Sequence, residues 1–143
     1  MQIDDTDRAL LDLLRQNART PVATLARRLG LARTTVQARM DRLEEAGVIA
    51  GYTLRLGGDM RAPLRATALV SIEPRSGPAV LDRLKTLPAV RRVHTTSGRF
   101  DLIVTLEAET TQALDDTLDR IGEARGVKGS ESLIHLATKL DRG

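Results

Sequence analysis

The stretch that decides the fold covers residues 20–47 and reads TPVATLARRLGLARTTVQARMDRLEEAG. Apolar residues recur at helical spacing on both sides of Gly30, whose permissive backbone allows a sharp turn between two helices. The small side chain of Ala26 lets the second helix cross the first closely, with Val36 facing it. The pattern therefore predicts a helix-turn-helix whose second helix enters the major groove of DNA.

Another helix is predicted before this pair in the chain, over residues 7–16. Asp4 or Asp5 is predicted to cap it. Thr20 is predicted to cap the next helix through its side chain, with Pro21 in the first helical position. Three short helices with a glycine turn between the last two are typical of a DNA-binding unit. An ordinary three-helix bundle is the alternative that the spacing leaves open.

Positive charge is concentrated in the same stretch. Between Arg19 and Arg42 six arginines stand against one acid, Asp41, which gives this segment +5 in a chain of net charge +3. Such a local excess favours phosphate binding, although a solvated helical face has the same composition. The candidate contacts are Arg33, Gln37 and Arg39 to base edges, and Thr34, Thr35, Arg27, Arg28 and Arg42 to phosphates.

Residues 48–56 alternate as a β-strand does, with Tyr52 and Leu54 on the same side. Gly57 and Gly58 end this segment, and residues 59–63 are predicted to be a linker. We therefore expect two domains, a DNA-binding domain with its connecting strand over residues 1–60 and a second domain over residues 61–143.

The second domain is predicted to be a ferredoxin-like βαββαβ sandwich, with two helices on one face of an antiparallel sheet. The whole chain then belongs to the α+β class, a three-helix (winged) helix-turn-helix joined by a strand and linker to the sandwich. The predicted elements are strands ending at Pro74, at Ser97, at Glu107 and at Thr138, and helices over residues 77–87 and 110–126.

The predicted sheet is unusual because both of its faces carry apolar residues. If Val70 and Val104 point to the helices, Leu69 and Ile103 point away from them, with Leu133 beside them. An apolar second face is a liability on a free-standing sheet, so we expect another subunit to cover it.

Several classes of protein are disfavoured. The chain has no cysteine, which excludes a disulfide framework and thiol chemistry. The chain contains no run of about 18 apolar residues, so no membrane span is expected. The acidic N-terminus is unlike a signal peptide, and a cytoplasmic location is therefore expected. His94 and His135 lack the spacing of metal ligands, and phosphate-binding or nucleophile motifs are absent. We expect no metal site, no catalytic residue and no enzyme activity.

A polar cluster, TTSGRFD over residues 95–101, lies between the two inner strands. Backbone amides or Arg99 are suited to a carboxylate and Asp101 to an ammonium, so the cluster matches both ends of a zwitterion. A plain β-turn with solvated charges is the alternative.

Four segments resemble the Lrp/AsnC family of bacterial and archaeal regulators, also called feast/famine regulatory proteins. IDDTDRALLDLLRQNAR resembles the opening helix of the family, and LARTTVQARMDRLEEAGVIAGYTLRL its recognition helix and connecting strand. TTSGRFDLIVTLEAE resembles the glycine turn with its strand, and GVKGSESLIHLATK the closing strand. Each motif is modest, but their order and spacing together are specific.

The resemblance implies an N-terminal helix-turn-helix and a C-terminal ferredoxin-like domain that senses a ligand. Family members dimerise through their sheets, often form octamers, and commonly bind amino acids between subunits near the glycine turn. Two departures are Ala32, where the family has a capping serine, and Arg99, where many members have an acid or asparagine. The implied effector-binding residues are Thr96, Gly98, Arg99, Asp101, Ser130 and Ser132.

Together these observations predict a homo-oligomeric, sequence-specific transcriptional regulator with an amino-acid or related effector and no other cofactor. In a dimer, the two recognition helices would meet major grooves about 34 Å apart on a partly palindromic double-stranded operator. Two alternatives stay open. One is a siroheme decarboxylase-like enzyme subunit, whose substrate carboxylates would bind the basic residues. The other is a small-molecule-binding module with a vestigial DNA-binding domain.

Overall fold

A computed structural model describes residues 1–60 and 64–142 of the chain. The chain divides into two compact units, Met1–Leu54 and Arg55–Gly143. The position of the predicted domain boundary at residue 60 stays a prediction. Across the described residues, no helix combines the length and the apolar character that crossing a membrane requires.

The first unit contains three helices, α1 (Asp5–Gln16), α2 (Val22–Leu29) and α3 (Arg33–Glu45). Their apolar sides meet because leucine, valine and alanine recur at helical spacing on each of them. The resulting core is built from Leu10, Leu14, Leu25, Ala26, Val36 and Leu43.

The start of α1 is fixed by a reciprocal capping box. Asp4 accepts a hydrogen bond from the backbone N–H of Asp7 at 2.7 Å, and the carboxylate of Asp7 accepts one from the N–H of Asp4 at 3.2 Å. Each side chain thereby satisfies an amide that the helix leaves unpaired. Of the two predicted caps, Asp4 and Asp5, the structure shows Asp4.

The predicted side-chain cap of α2 is wrong. The hydroxyl of Thr20 instead donates to the carbonyl of Asn17 at 2.7 Å, so it belongs to the turn that follows α1. Pro21 is the N-cap, and its restricted φ of −59° prepares the chain for the helix. At the other end Gly30, with φ of +67°, makes the predicted turn before α3.

The predicted strand over residues 48–56 is also wrong, because the described residues of this segment form no strand. The N–H of Ile49 donates to the carbonyl of Leu43, and the hydroxyl of Tyr52 donates to Glu44 at 2.8 Å. Partial burial, together with this bond to Glu44, raises the pKa of Tyr52 to about 12.

Gly58–Met60 forms a short 3-10 helix, and residues 61–63 of the predicted linker lie outside the described residues.

The second unit has the predicted βαββαβ order. It consists of β1 (Leu64–Ile72), α4 (Gly77–Lys85), β2 (Val90–Thr95), β3 (Leu102–Ala108), α5 (Thr111–Gly122) and β4 (Val127–Ile134). The strands form one antiparallel sheet in the order β2-β3-β1-β4. This is the ferredoxin-like arrangement, which confirms the predicted fold class.

Alternation on the two central strands gives the sheet its buried face. Ala68 of β1 lies opposite Val104 of β3, and both are fully buried. The residues two positions before and after each of them are also buried. Val80 of α4 and Ile121 of α5 pack on this face. Both helices of the unit therefore cover the same side of the sheet.

Candidate nucleic-acid interface and effector site

The side of α3 that is available to a partner follows from the side that it buries. Val36 and Leu43 are fully buried in the core of the first unit. At about 100° per residue, the opposite side of the helix is centred on Thr34, Ala38 and Asp41. All three are exposed. Ala38 was missed in the sequence analysis, although its position four residues after Thr34 places it on this side.

Residues predicted to contact bases and residues predicted to contact phosphates are both exposed on α2 and α3. Arg39 is partly buried, whereas the other predicted contact residues are exposed: Arg27, Arg28, Arg33, Thr34, Thr35, Gln37 and Arg42. An open depression of about 440 Å³ is lined by Thr34, Thr35, Ala38, Arg39 and Arg42. The side chains of these residues carry hydroxyl, methyl and guanidinium groups.

The N-terminus of α3 adds to the positive character of this surface. Ala32 precedes the helix, and among the described residues no side chain caps it. The amides of the first turn therefore keep their capacity to donate, and the helix dipole places partial positive charge there. An anion such as a DNA phosphate suits this position.

Two arginines of α3 are already engaged with the first turn of α1. Nη1 of Arg39 lies 2.9 and 2.8 Å from the two carboxylate oxygens of Asp4, and 2.9 Å from Oδ1 of Asp7. Nη2 of Arg42 donates to both oxygens of Asp7, at 2.9 and 2.7 Å. These four residues form an acid–arginine cluster that connects α1 to α3.

The cluster favours the charged forms of Asp4 and Arg39. The hydrogen bond from Arg39 lowers the pKa of Asp4, and the backbone N–H of Asp7 lowers it further. Bonding to Asp4, and then to Asp7, raises the pKa of Arg39. The side chain of Arg39 is 25% exposed to solvent, and that of Arg42 is 48% exposed. The predicted base contact of Arg39 and phosphate contact of Arg42 stay predictions.

Gln37 also has a partner on its own helix. Its Nε2 donates to Oδ1 of Asp41 at 2.8 Å. This bond leaves the carboxamide oxygen and one N–H of Gln37 for other partners.

The predicted effector turn, residues 96–101, follows β2 and leads into β3. It therefore joins an edge strand to an inner strand, and its predicted position between the two inner strands is wrong. The hydroxyl of Thr96 lies 3.0 Å from the carbonyl of Phe100, and its N–H donates to the carbonyl of Asp101. Oδ2 of Asp101 accepts from the N–H of Ile72 at 2.8 Å, which ties the turn to the end of β1. The guanidinium of Arg99 lies 5.2 Å from the centre of the Phe100 ring.

The other two predicted effector residues lie elsewhere on the sheet. Ser130 is opposite Val70 and Ser132 is opposite Ala68, so both are on the edge strand β4. Since β1 lies between β4 and β3, the structure brings Thr96, Gly98, Arg99 and Asp101 together in one turn but not the two serines.

The outer face of the sheet is the one that α4 and α5 leave uncovered. Leu69 pairs with Ile103 across β1 and β3, and Leu133 lies opposite Thr67 with half of its surface exposed. His135 hydrogen-bonds the hydroxyl of Thr67 through Nε2 at 2.8 Å. Leu69, Ile103 and Leu133 thus lie on this face as predicted, with Thr67 and Glu131 among their neighbours.

Comparison with known proteins gives two family matches. Residues 3–44 match the AsnC-type helix-turn-helix domain, and residues 65–143 match the Lrp/AsnC ligand binding domain. The chain is 32% identical over 141 residues to an uncharacterized HTH-type transcriptional regulator of Pyrococcus horikoshii, covering 95% of this chain and 94% of that protein. It is 28% identical over 137 residues to the HTH-type transcriptional regulator LysM of Saccharolobus solfataricus, covering 95% of each.

Solved structures agree with these matches. E. coli AsnC superimposes with a TM-score of 0.89 at 24% identity, over 100% of this chain and 98% of that one. A feast or famine regulatory protein from M. tuberculosis, in complex with L-methionine, gives a TM-score of 0.83 at 29% identity, over 99% and 97%. The similar proteins support a DNA-binding regulator over the decarboxylase and vestigial-domain alternatives.

The acid–arginine cluster makes the effect of Asp4→Asn depend on pH. Because Arg39 lowers the pKa of Asp4 below its usual 3.8, the carboxylate stabilises the fold above that value. This contribution is lost as the pH falls through the lower pKa of the folded state. Asparagine still caps a helix well, so the variant removes mainly the charge. In urea unfolding at neutral pH, we expect wild type to have a larger free energy of unfolding than the variant. The difference between the two free energies should shrink below pH 3.8.

The control is Asp12→Asn, which removes an exposed acid from α1 outside the cluster. Its difference from wild type should change less with pH. An Asp4→Asn difference that is the same at neutral and acid pH would contradict the assigned ion pair.

Proposed function

This chain belongs to the Lrp/AsnC family of transcriptional regulators, and we propose that it binds a partly palindromic operator as a homo-oligomer whose DNA affinity responds to an amino acid or a related small molecule. The observation that carries this proposal is the exposed side of α3. Its apolar seam is buried, while hydroxyl, amide and guanidinium groups remain exposed around Thr34 and Ala38.

The proposed DNA contacts divide by side-chain chemistry. Arg33 is suited to a guanine edge, and Gln37 keeps both an acceptor and a donor for an adenine edge after bonding Asp41. Ala38 has a methyl group of the kind that contacts thymine. The phosphate contacts proposed are Thr34, Thr35, Arg27, Arg28 and Arg42.

Pairing of subunits is supported by the outer face of the sheet. Leu69, Ile103 and Leu133 form a patch that α4 and α5 do not cover. Burying such a patch between two copies of the chain removes apolar surface from water and gives a two-fold assembly. Two α3 helices would then meet successive major grooves, about 34 Å apart.

The proposed effector site is the turn at residues 96–101. The bond from Ile72 uses Oδ2 of Asp101, and among residues 1–60 and 64–142 Oδ1 has no hydrogen-bond partner, so it suits an ammonium group. Arg99 lies against Phe100, yet its guanidinium edge can still donate to a carboxylate. The L-methionine complex of the M. tuberculosis regulator supports an amino acid as the class of ligand.

The DNA-binding role is tested by selection from a random DNA library, followed by titration of the enriched operator. We expect Arg28→Gln to weaken binding uniformly across sequences, because a phosphate contact carries no base information. The slope of log K against log salt should fall in magnitude by about 0.9, as for one lost phosphate contact. Arg83→Gln, an exposed arginine of α4, is the charge-matched control and should match wild type. Failure of wild type to enrich any sequence would refute sequence-specific binding.

The effector role is tested by calorimetric titration with a panel of amino acids, beginning with L-methionine. We expect Asp101→Asn to lose most of the affinity for the amino acid that binds, because the ammonium group loses its counter-charge. The asparagine oxygen can still accept from Ile72, so the turn is retained. Asp115→Asn, on the exposed side of α5, is the control. Wild type that binds no amino acid contradicts the effector, and equal binding by Asp101→Asn contradicts the assigned residue.

A further inference from the structure

We infer that Arg39 is a positioning residue, which holds α3 against the first turn of α1 through Asp4 and Asp7 and contacts neither base nor phosphate in the operator complex. This inference rests on the proposed DNA-binding function and changes the role of one predicted base contact. It also gives Asp4, an acidic residue, a favourable part in binding DNA.

The geometry of Arg39 supports this role. A single nitrogen, Nη1, lies within 2.9 Å of both oxygens of Asp4 and of Oδ1 of Asp7. By the helical period, Arg39 lies about 60° around α3 from the buried Val36. Its side chain is three-quarters buried, whereas the exposed side is centred on Thr34 and Ala38. Arg39 lines the edge of the open depression, but it directs its guanidinium Nη1 to the carboxylates of α1.

The burial of Asp7 makes these bonds hard to exchange. Its side chain is fully buried, and a buried carboxylate is costly unless it is paired and hydrogen-bonded. Moving Arg39 to DNA would take a guanidinium away from this carboxylate. Arg42 differs because it uses Nη2 for Asp7 and keeps half of its exposure, so other nitrogens of its guanidinium can reach a phosphate.

The cluster adds a constraint that the apolar core does not supply. Val36 and Leu43 hold α3 to the core through contacts that have little directionality. The bonds from Arg39 are directional and join residues that are 35 and 32 positions apart in sequence. Together they fix the rotation of α3 about its axis, and hence the direction in which Thr34 and Ala38 face.

The test measures affinity for the selected operator over a range of salt concentrations, together with base preference at each operator position. Circular dichroism first establishes a temperature at which every variant is folded. Arg39→Gln should lower affinity roughly three- to tenfold, with the salt slope unchanged and with no single base pair losing its preference. Arg39→Lys keeps the charge and can pair with one carboxylate, so it should recover part of the loss.

Asp4→Asn gives the sharper comparison. Removing an acid near DNA strengthens binding if only long-range electrostatics matter. A positioning role predicts weaker binding instead, in the same direction as Arg39→Gln. The double variant should bind no more weakly than Arg39→Gln alone, since both changes break the same contact.

The alternatives give different results. A salt slope that falls by about 0.9 would assign Arg39 to a phosphate, and relaxed preference at one base pair would assign it to a base. Unchanged affinity with a lower melting temperature would leave only a structural role. Each of these outcomes overturns the inference. Wild type that selects no operator would instead refute the proposed function itself.

Discussion

The buried carboxylate of Asp7 is the constraint on which the DNA-binding unit depends. It has lost its hydration, so its charge requires compensation within the protein. The backbone N–H of Asp4 and the guanidinium groups of Arg39 and Arg42 supply that compensation. The first turn of α1 and the middle of α3 therefore cannot separate without leaving a charge unpaired, and this holds the exposed side of α3 in one orientation.

The second unit supplies what a single short helix lacks. One face of its sheet is buried by α4 and α5, and the other carries Leu69, Ile103 and Leu133. In the proposed complex a single α3 recognises only a few base pairs, so specificity would depend on presenting two copies at a fixed spacing. The proposed effector turn is tied to the end of β1 by Asp101, within the same sheet that carries the apolar patch.

Local patterns in the sequence predicted the parts of this structure that local physics determines. Apolar periodicity identified the helices and strands, and Gly30 and Asp4 identified a turn and a cap. The strand predicted over residues 48–56 failed because alternation makes a strand only where another strand is available to pair. The role of Arg39 could not be predicted, since its partners lie 32 and 35 residues away and spacing within α3 carries no trace of them.

The most direct test of this account is an experimental structure of the protein bound to its selected operator. We expect Nη1 of Arg39 to stay about 3 Å from Asp4 and Asp7, with the Thr34 and Ala38 side of α3 in the major groove. A structure in which Arg39 has left both carboxylates and donates to a base or a phosphate would contradict it.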